Sequence, residues 1–94
     1  MKLTWSERAQ ADIFEIARYI GTDNRSAAAA WVKKVSDHAQ LAREFPQAGR
    51  IVPEYSKDDL REVLMDNYRI VYLVSTEGIM IVTVFERHRQ FPEE

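Results

Sequence analysis

The densest group of chemically capable side chains is Glu86-Arg87-His88-Arg89. Its two arginines carry planar forks that match a carboxylate or a phosphate and never lose their charge. His88 has an ordinary pKa of about 6.5, in the range where a proton can be given and taken near neutral pH. Functionally, Arg87, His88 and Arg89 form a candidate anion or partner site, with His88 a candidate acid/base group. Structurally, they are a solvated strand end whose charges blunt a sheet edge. Arg50 follows Gly49, a residue suited to turns and close backbone approach, so Arg50 can anchor its loop or touch a target. Arg69 alternates with Tyr68 and Ile70 and shares its face with Val71 and Leu73. That pattern predicts a partly buried arginine paired with an acid. The absence of cysteine excludes thiolate nucleophiles, disulfides and thiolate zinc sites. His38 and His88 lie 50 residues apart and make no metal motif, so no metal or cofactor is expected.

The elements that must position these residues follow from periodicity. Lys2 to Trp5 alternates and predicts a short strand. Ser6 is a helix N-cap candidate, with Glu7 in the first turn near the positive dipole end. Ala9, Ile13, Ile16 and Ile20 share one helix face, and Gly21 is expected to end the helix. Ser26 is a second cap candidate. Trp31, Val35, Ala39, Ala42 and Phe45 continue a helical stripe that Pro46 stops. Trp5 and Trp31 read as packing residues, while His38 flanks the stripe and Lys33 and Lys34 face solvent. A connection of about five residues predicts an antiparallel helical hairpin. Strands are predicted near Gly49 to Pro53, at Leu60 to Met65, at Tyr68 to Val74 and at Ile79 to Phe85. Asp66-Asn67 and Thr76-Glu77-Gly78 are the turns, with Asn67 suited to positive φ. The apolar run Ile79 to Phe85 predicts an interior strand. The order β-α-α-β-β-β, with the short Gly49 to Pro53 segment counted apart, predicts an α+β fold, with a helical hairpin on one face of a mostly antiparallel sheet.

Ninety-four residues, 46% apolar and 30% charged, suit one domain spanning residues 1–94. No stretch is long and apolar enough for a membrane helix, and the first residues lack the apolar segment of a signal peptide. A cytoplasmic protein without a membrane partner is expected.

Nearly the whole chain resembles the RelE/ParE superfamily of toxins from type II toxin–antitoxin modules. The first helix carries Trp5-Ser6, Ala9, Asp12-Ile13, Ile16 and Tyr19-Ile20, and the second Ala30-Trp31-Val32. Leu41, Phe45-Pro46, Gly49-Arg50, Val52-Pro53-Glu54, Leu60-Arg61-Glu62 and Tyr68-Arg69-Ile70-Val71-Tyr72 follow in order, before the basic cluster. The spacing is closer to the ParE branch than to the RelE branch. The resemblance implies a cytoplasmic toxin of a plasmid-stabilisation module, neutralised by a cognate antitoxin. A homodimer or a toxin–antitoxin hetero-oligomer is the implied assembly. ParE-like members inhibit growth by binding DNA gyrase; RelE-like members cut mRNA on the ribosome. A family member without toxicity, kept as a binding module, is a third reading.

RelE-like cleavage would need cations on the phosphate and an acid/base pair. The resemblance places Arg61 and Arg87 at the phosphate-binding arginines of those nucleases. Glu54 resembles the general base of the YoeB-like branch, and His88 is the remaining acid/base candidate. Read structurally, Arg61 is a strand arginine paired with a carboxylate such as Asp59, and Glu54 is a loop carboxylate. The C-terminal tail, Gln90-Phe91-Pro92, lacks the tyrosine of RelE-like nucleases, and Lys57 stands alone where they carry a lysine cluster. ParE-like chains often carry a histidine near the position of Glu86.

Charge separates the branches. The net is −2, too acidic for a purely electrostatic nucleic-acid binder. Residues 1–47 hold 7 basic and 6 acidic groups, whereas residues 48–94 hold 6 basic and 9 acidic. The sheet half, where a nuclease would hold RNA, is the acidic half. That balance favours the ParE-like, non-enzymatic reading.

Overall fold

The computed structural model describes residues 1–93. Strand β1 (Lys2–Trp5) leads into helices α1 (Glu7–Asp23) and α2 (Arg25–Glu44). A 3-10 turn (Pro46–Ala48), β2 (Arg50–Ile51), β3 (Leu60–Met65), β4 (Tyr68–Val74) and β5 (Gly78–Glu86) complete the order. The five strands form one sheet in the order β1-β5-β4-β3-β2. All pairs are antiparallel except β1 with β5.

Ser6 caps α1 as its position predicts, its hydroxyl accepting from the Ala9 N–H at 3.0 Å. The helix does not stop at Gly21; it continues to Asp23. Asn24 alone joins the helices, instead of a five-residue connection. Its N–H donates to the Ile20 carbonyl, and its side chain accepts from the Ala27 N–H at 3.0 Å. One residue thus closes α1 and caps α2, so Ser26 has no cap to make. The physical reason is that an Asn side chain next to its own extended backbone satisfies both helix ends at once. Strands β3 and β4 have the predicted bounds, and Asp66, not Asn67, takes the positive φ of 53° in their turn.

Alternation along β4 divides the core. Ile70 and Tyr72 join Trp31, Val35, Ala39, Ile81 and Val84 beneath the helices. Trp5 is half-buried at the margin of this core, and Trp31 packs edge-on against Tyr68 with ring centroids 5.2 Å apart. On the opposite face Val71 and Phe85 pack with Val52, Leu60 and Phe91. A loop and the C-terminal tail cover this face in place of a helix. The apolar β5 is interior, as its sequence predicts, but its outer neighbour is the parallel β1. Gly78 permits that approach: at φ 153°, a Cβ there would meet the Lys2 carbonyl oxygen at 2.0 Å.

Val71 lies opposite Thr83 and Tyr72 opposite Ile81, so Val82 is the extra residue of a bulge. Strand β1 ends opposite Ile81, leaving the last part of β5 without a strand on that side. Asp12 of α1 covers the gap. Its Oδ2 accepts from the Thr83 hydroxyl at 2.6 Å and from the Val84 N–H at 3.1 Å.

Candidate functional site

Three surfaces collect the residues singled out by sequence. The first is the helix-free face near β3 and β4. Arg69 is buried there, with a side chain 8% exposed. Its Nη1 and Nη2 donate to the two oxygens of Glu54 at 2.8 and 2.7 Å. Its Nε donates to Glu62 Oε1 at 2.6 Å. Glu62, fully buried, uses its second oxygen for Arg50 Nε. Two carboxylates and two arginines therefore neutralise one another in a continuous chain. The fork of Arg69 holds the Glu54 carboxyl down to about 2, against an ordinary 4.5. The same hydrogen bonds push the Arg69 pKa up. A buried arginine paired with acids is what the β4 pattern predicts. That both acids would be Glu54 and Glu62 is not readable from the sequence, because the loop after Pro53 folds back onto the sheet.

Arg61 lies beside this chain but does not join it. Its Nη1 donates to the carbonyls of Gln47 and Gly49 at 3.2 and 3.0 Å. Its Nε donates to the Asp58 carbonyl, and its Nη2 to the Asp58 carboxylate at 3.1 Å. The carboxylate partner is thus Asp58, not Asp59. Arg61 pins the segment before β2 to the loop before β3. Tyr72 fixes the same segment from below. Its hydroxyl donates to the Pro46 carbonyl at 2.7 Å and accepts from the Gly49 N–H at 3.1 Å. Gly49 is required there, since a Cβ would meet that hydroxyl oxygen at 2.1 Å.

The second surface is an apolar groove of about 400 Å³ between the end of α2 and β3. Leu41, Ala42, Phe45, Val63 and Leu64 line it, with His38 and Arg50 at its border. Leu41 is 57% exposed and Phe45 56%. His38 Nδ1 donates to the Lys34 carbonyl at 2.8 Å, and Lys34 forms an ion pair with Asp66 rather than facing solvent alone. Strand β2 pairs only with Arg61 and Glu62, so the outer edge of β3 from Val63 to Met65 has no neighbouring strand. The sequence marks this groove only weakly: Phe45 reads as the end of the helical stripe, and Leu41 stands only among the residues that carry the family resemblance.

The third surface is the turn after β5. Arg87, His88 and Arg89 are all exposed. The Arg87 N–H donates to the Asn67 carbonyl at 2.8 Å, and the Arg89 N–H to the Glu86 carbonyl at 3.0 Å. Arg89 is within 3.7 Å of the Glu86 carboxylate. This turn and the tail form one wall of a polar groove of about 820 Å³ against α1, with Arg8, Glu15 and Tyr19 opposite.

The strand register decides which cations meet. Arg61 lies opposite Tyr72, and Tyr72 opposite Ile81. Arg87 is six residues beyond Ile81, one of them the bulge residue Val82, which places it roughly 17 Å along the sheet from Arg61. The two arginines stand at opposite ends of the strands. Glu54 belongs to Arg69, and His88 to the distal turn. No cation pair and acid/base pair converge among these residues.

A family model described as "ParE toxin of type II toxin-antitoxin system, parDE" matches residues 3–91. The chain is 33% identical over 93 residues to a protein of Sinorhizobium fredii named "Putative toxin Y4kP", covering 98% of this chain and 94% of that one. Its fold matches a chain of the "Chromosomal ParDE TA system from P. aeruginosa" with a TM-score of 0.74. That similarity covers 92% of this chain and 95% of the other at 18% identity, and it concerns the fold. Among the described residues no helix is long and apolar enough to cross a membrane. The helical hairpin, the five-stranded mixed sheet and the near-complete match together establish that the chain belongs to the ParE toxin family of type II toxin–antitoxin systems.

Proposed function

We propose that this ParE-family toxin inhibits growth by binding a protein target, DNA gyrase, without cutting RNA, and that a cognate antitoxin neutralises it. The observation that supports the reading is the placement of Arg61 and Arg87 at opposite ends of the strands, roughly 17 Å of sheet apart. Arg61 is held by four internal acceptors and Glu54 by Arg69, so neither is free to serve an RNA strand. The exposed side chains of Arg87, His88 and Arg89 remain available for contact with a protein surface.

The antitoxin fits the apolar groove. Its exposed leucine and phenylalanine offer a seat for the apolar face of a helix, and the unpaired edge of β3 offers backbone donors and acceptors to an added strand. The assembly is then a toxin–antitoxin hetero-oligomer in the cytoplasm, where gyrase works.

Tightly controlled expression tests this function. Gyrase-linked DNA breaks without codon-positioned mRNA cuts are expected. Ribosomal A-site cuts abolished by Arg61→Ala would overturn it in favour of a nuclease. Normal growth with soluble, antitoxin-free protein would favour a family member that acts only as a binding module.

A further inference from the structure

The tail folds back after the basic turn and inserts Phe91 into the helix-free face. Phe91 packs edge-on against Phe85 and Tyr55, with ring centroids 5.3 and 5.1 Å apart. The Arg69 guanidinium lies 4.9 Å from the centre of the Phe85 ring and 5.5 Å from that of Phe91. Arg69 is held in place by Glu54 and Glu62, which occupy its fork. Phe91 therefore closes over a cation fixed by three segments of the chain: the loop after β2, β3 and β4. A cation desolvated against aromatic faces adds attraction beyond apolar burial.

The basic turn stands between two anchors. On one side is β5, itself tied through Arg87 N–H to the Asn67 carbonyl. On the other is Phe91. Four residues, Arg87 to Gln90, span the interval, and all are exposed. Without the second anchor, the turn would be held from one side alone, and its ordering would oppose any binding event. With it, Arg89 and the tail form a fixed wall of the polar groove against α1.

We infer that Phe91, seated on Arg69, is a positioning residue that holds Arg87, His88 and Arg89 ready for the toxin's target. The inference rests on the reading of that turn as the target contact. It gives the aromatic residue in the tail a role distinct from any hydroxyl chemistry.

The full chain provides the test, through amide hydrogen exchange and growth arrest measured on the same variants. Phe91→Ala is expected to speed exchange of the Arg87 and Arg89 amides and to weaken growth arrest about 10-fold, while the melting transition stays cooperative. Phe91→Tyr keeps the ring and should restore both readouts; Phe91→Leu keeps apolar bulk and should restore neither fully. Released tail amides with undiminished arrest would overturn the positioning role. So would unchanged exchange in Phe91→Ala, or equal recovery by Leu and Tyr, which would reduce Phe91 to apolar packing. The double variant Arg87→Ala/Arg89→Ala separates the underlying reading. Full arrest in that variant, with native-like tail exchange, would overturn the turn as a target contact and leave the Phe91 anchor intact.

Discussion

Arg69 and Glu54 face each other through two parallel N–H···O bonds of 2.8 and 2.7 Å, a bidentate ion pair between loop and sheet. Glu54 has a folded-state pKa of about 2, below its ordinary 4.5. A depressed carboxylate pKa contributes stability that is complete above the ordinary value and fades as pH falls toward the folded one. Wild-type stability is therefore expected to decline between about pH 5 and about pH 2. Glu54→Gln should be less stable at neutral pH by about 1–2 kcal/mol, a figure discounted for the carboxylate's partial exposure. Its pH profile should be flatter. Urea denaturation at several pH values checks this, and parallel profiles would exclude the pair as the cause.

The Tyr72 hydroxyl bridges Pro46 and Gly49 beneath the segment that leads into β2. Tyr72→Phe should cost about 1–3 kcal/mol, because it leaves the Gly49 N–H and the Pro46 carbonyl without that partner. Gly49→Ala should also destabilise, since its methyl group would overlap the hydroxyl oxygen at 2.1 Å. In the double variant the overlap with the hydroxyl oxygen is removed and only the ring carbon at 2.9 Å remains, so the combined effect should be less than the sum of the separate costs. Chemical denaturation of the four proteins measures the coupling.

Asp12 is a strand-edge cap supplied by a helix. Asp12→Ala removes the acceptor of the Thr83 hydroxyl and the Val84 N–H and should cost about 2 kcal/mol. Exchange of the Val84 amide should accelerate ahead of its β4-facing neighbours. Exchange that rises uniformly along β5 would mean that Asp12 stabilises the fold without specifically protecting the edge.

Leu41 and Phe45 test whether the apolar groove proposed for the antitoxin is distinct from the basic turn proposed for the target. Leu41→Glu or Phe45→Glu should leave growth arrest in place, because both side chains are more than half exposed and support little of the core. Either charge, buried by a partner in the apolar groove, should weaken antitoxin rescue by about 10-fold or more. Co-expression with the cognate antitoxin reads both properties. Full rescue of both variants would move the antitoxin elsewhere.

Local patterns made much of the fold legible. The helical stripes located both helices, and β3 and β4 have the bounds that their β-branched and aromatic runs predict. The end of α1 was not legible, since Gly21 and Ser26 are the stronger local signals. Asn24 prevails because it serves two helix ends at once, a gain that appears only when the hairpin closes. Asp58 takes Arg61 instead of Asp59 for a related reason. The side chain of Arg61 turns back toward the Gln47 and Gly49 carbonyls, and Asp58 is the acid along that path.

The sequence by itself determined the element order, the family and the presence of a basic cluster at the end of β5. Those properties reside in periodicity, residue type and ordered motifs, all local or additive along the chain. Tertiary structure alone decided which charged groups meet. Strand register sends Arg61 and Arg87 to opposite ends of the sheet, and loop closure brings Glu54 and Phe91 onto Arg69. Register and loop closure join residues far apart in the chain, so no local pattern encodes the distance between them.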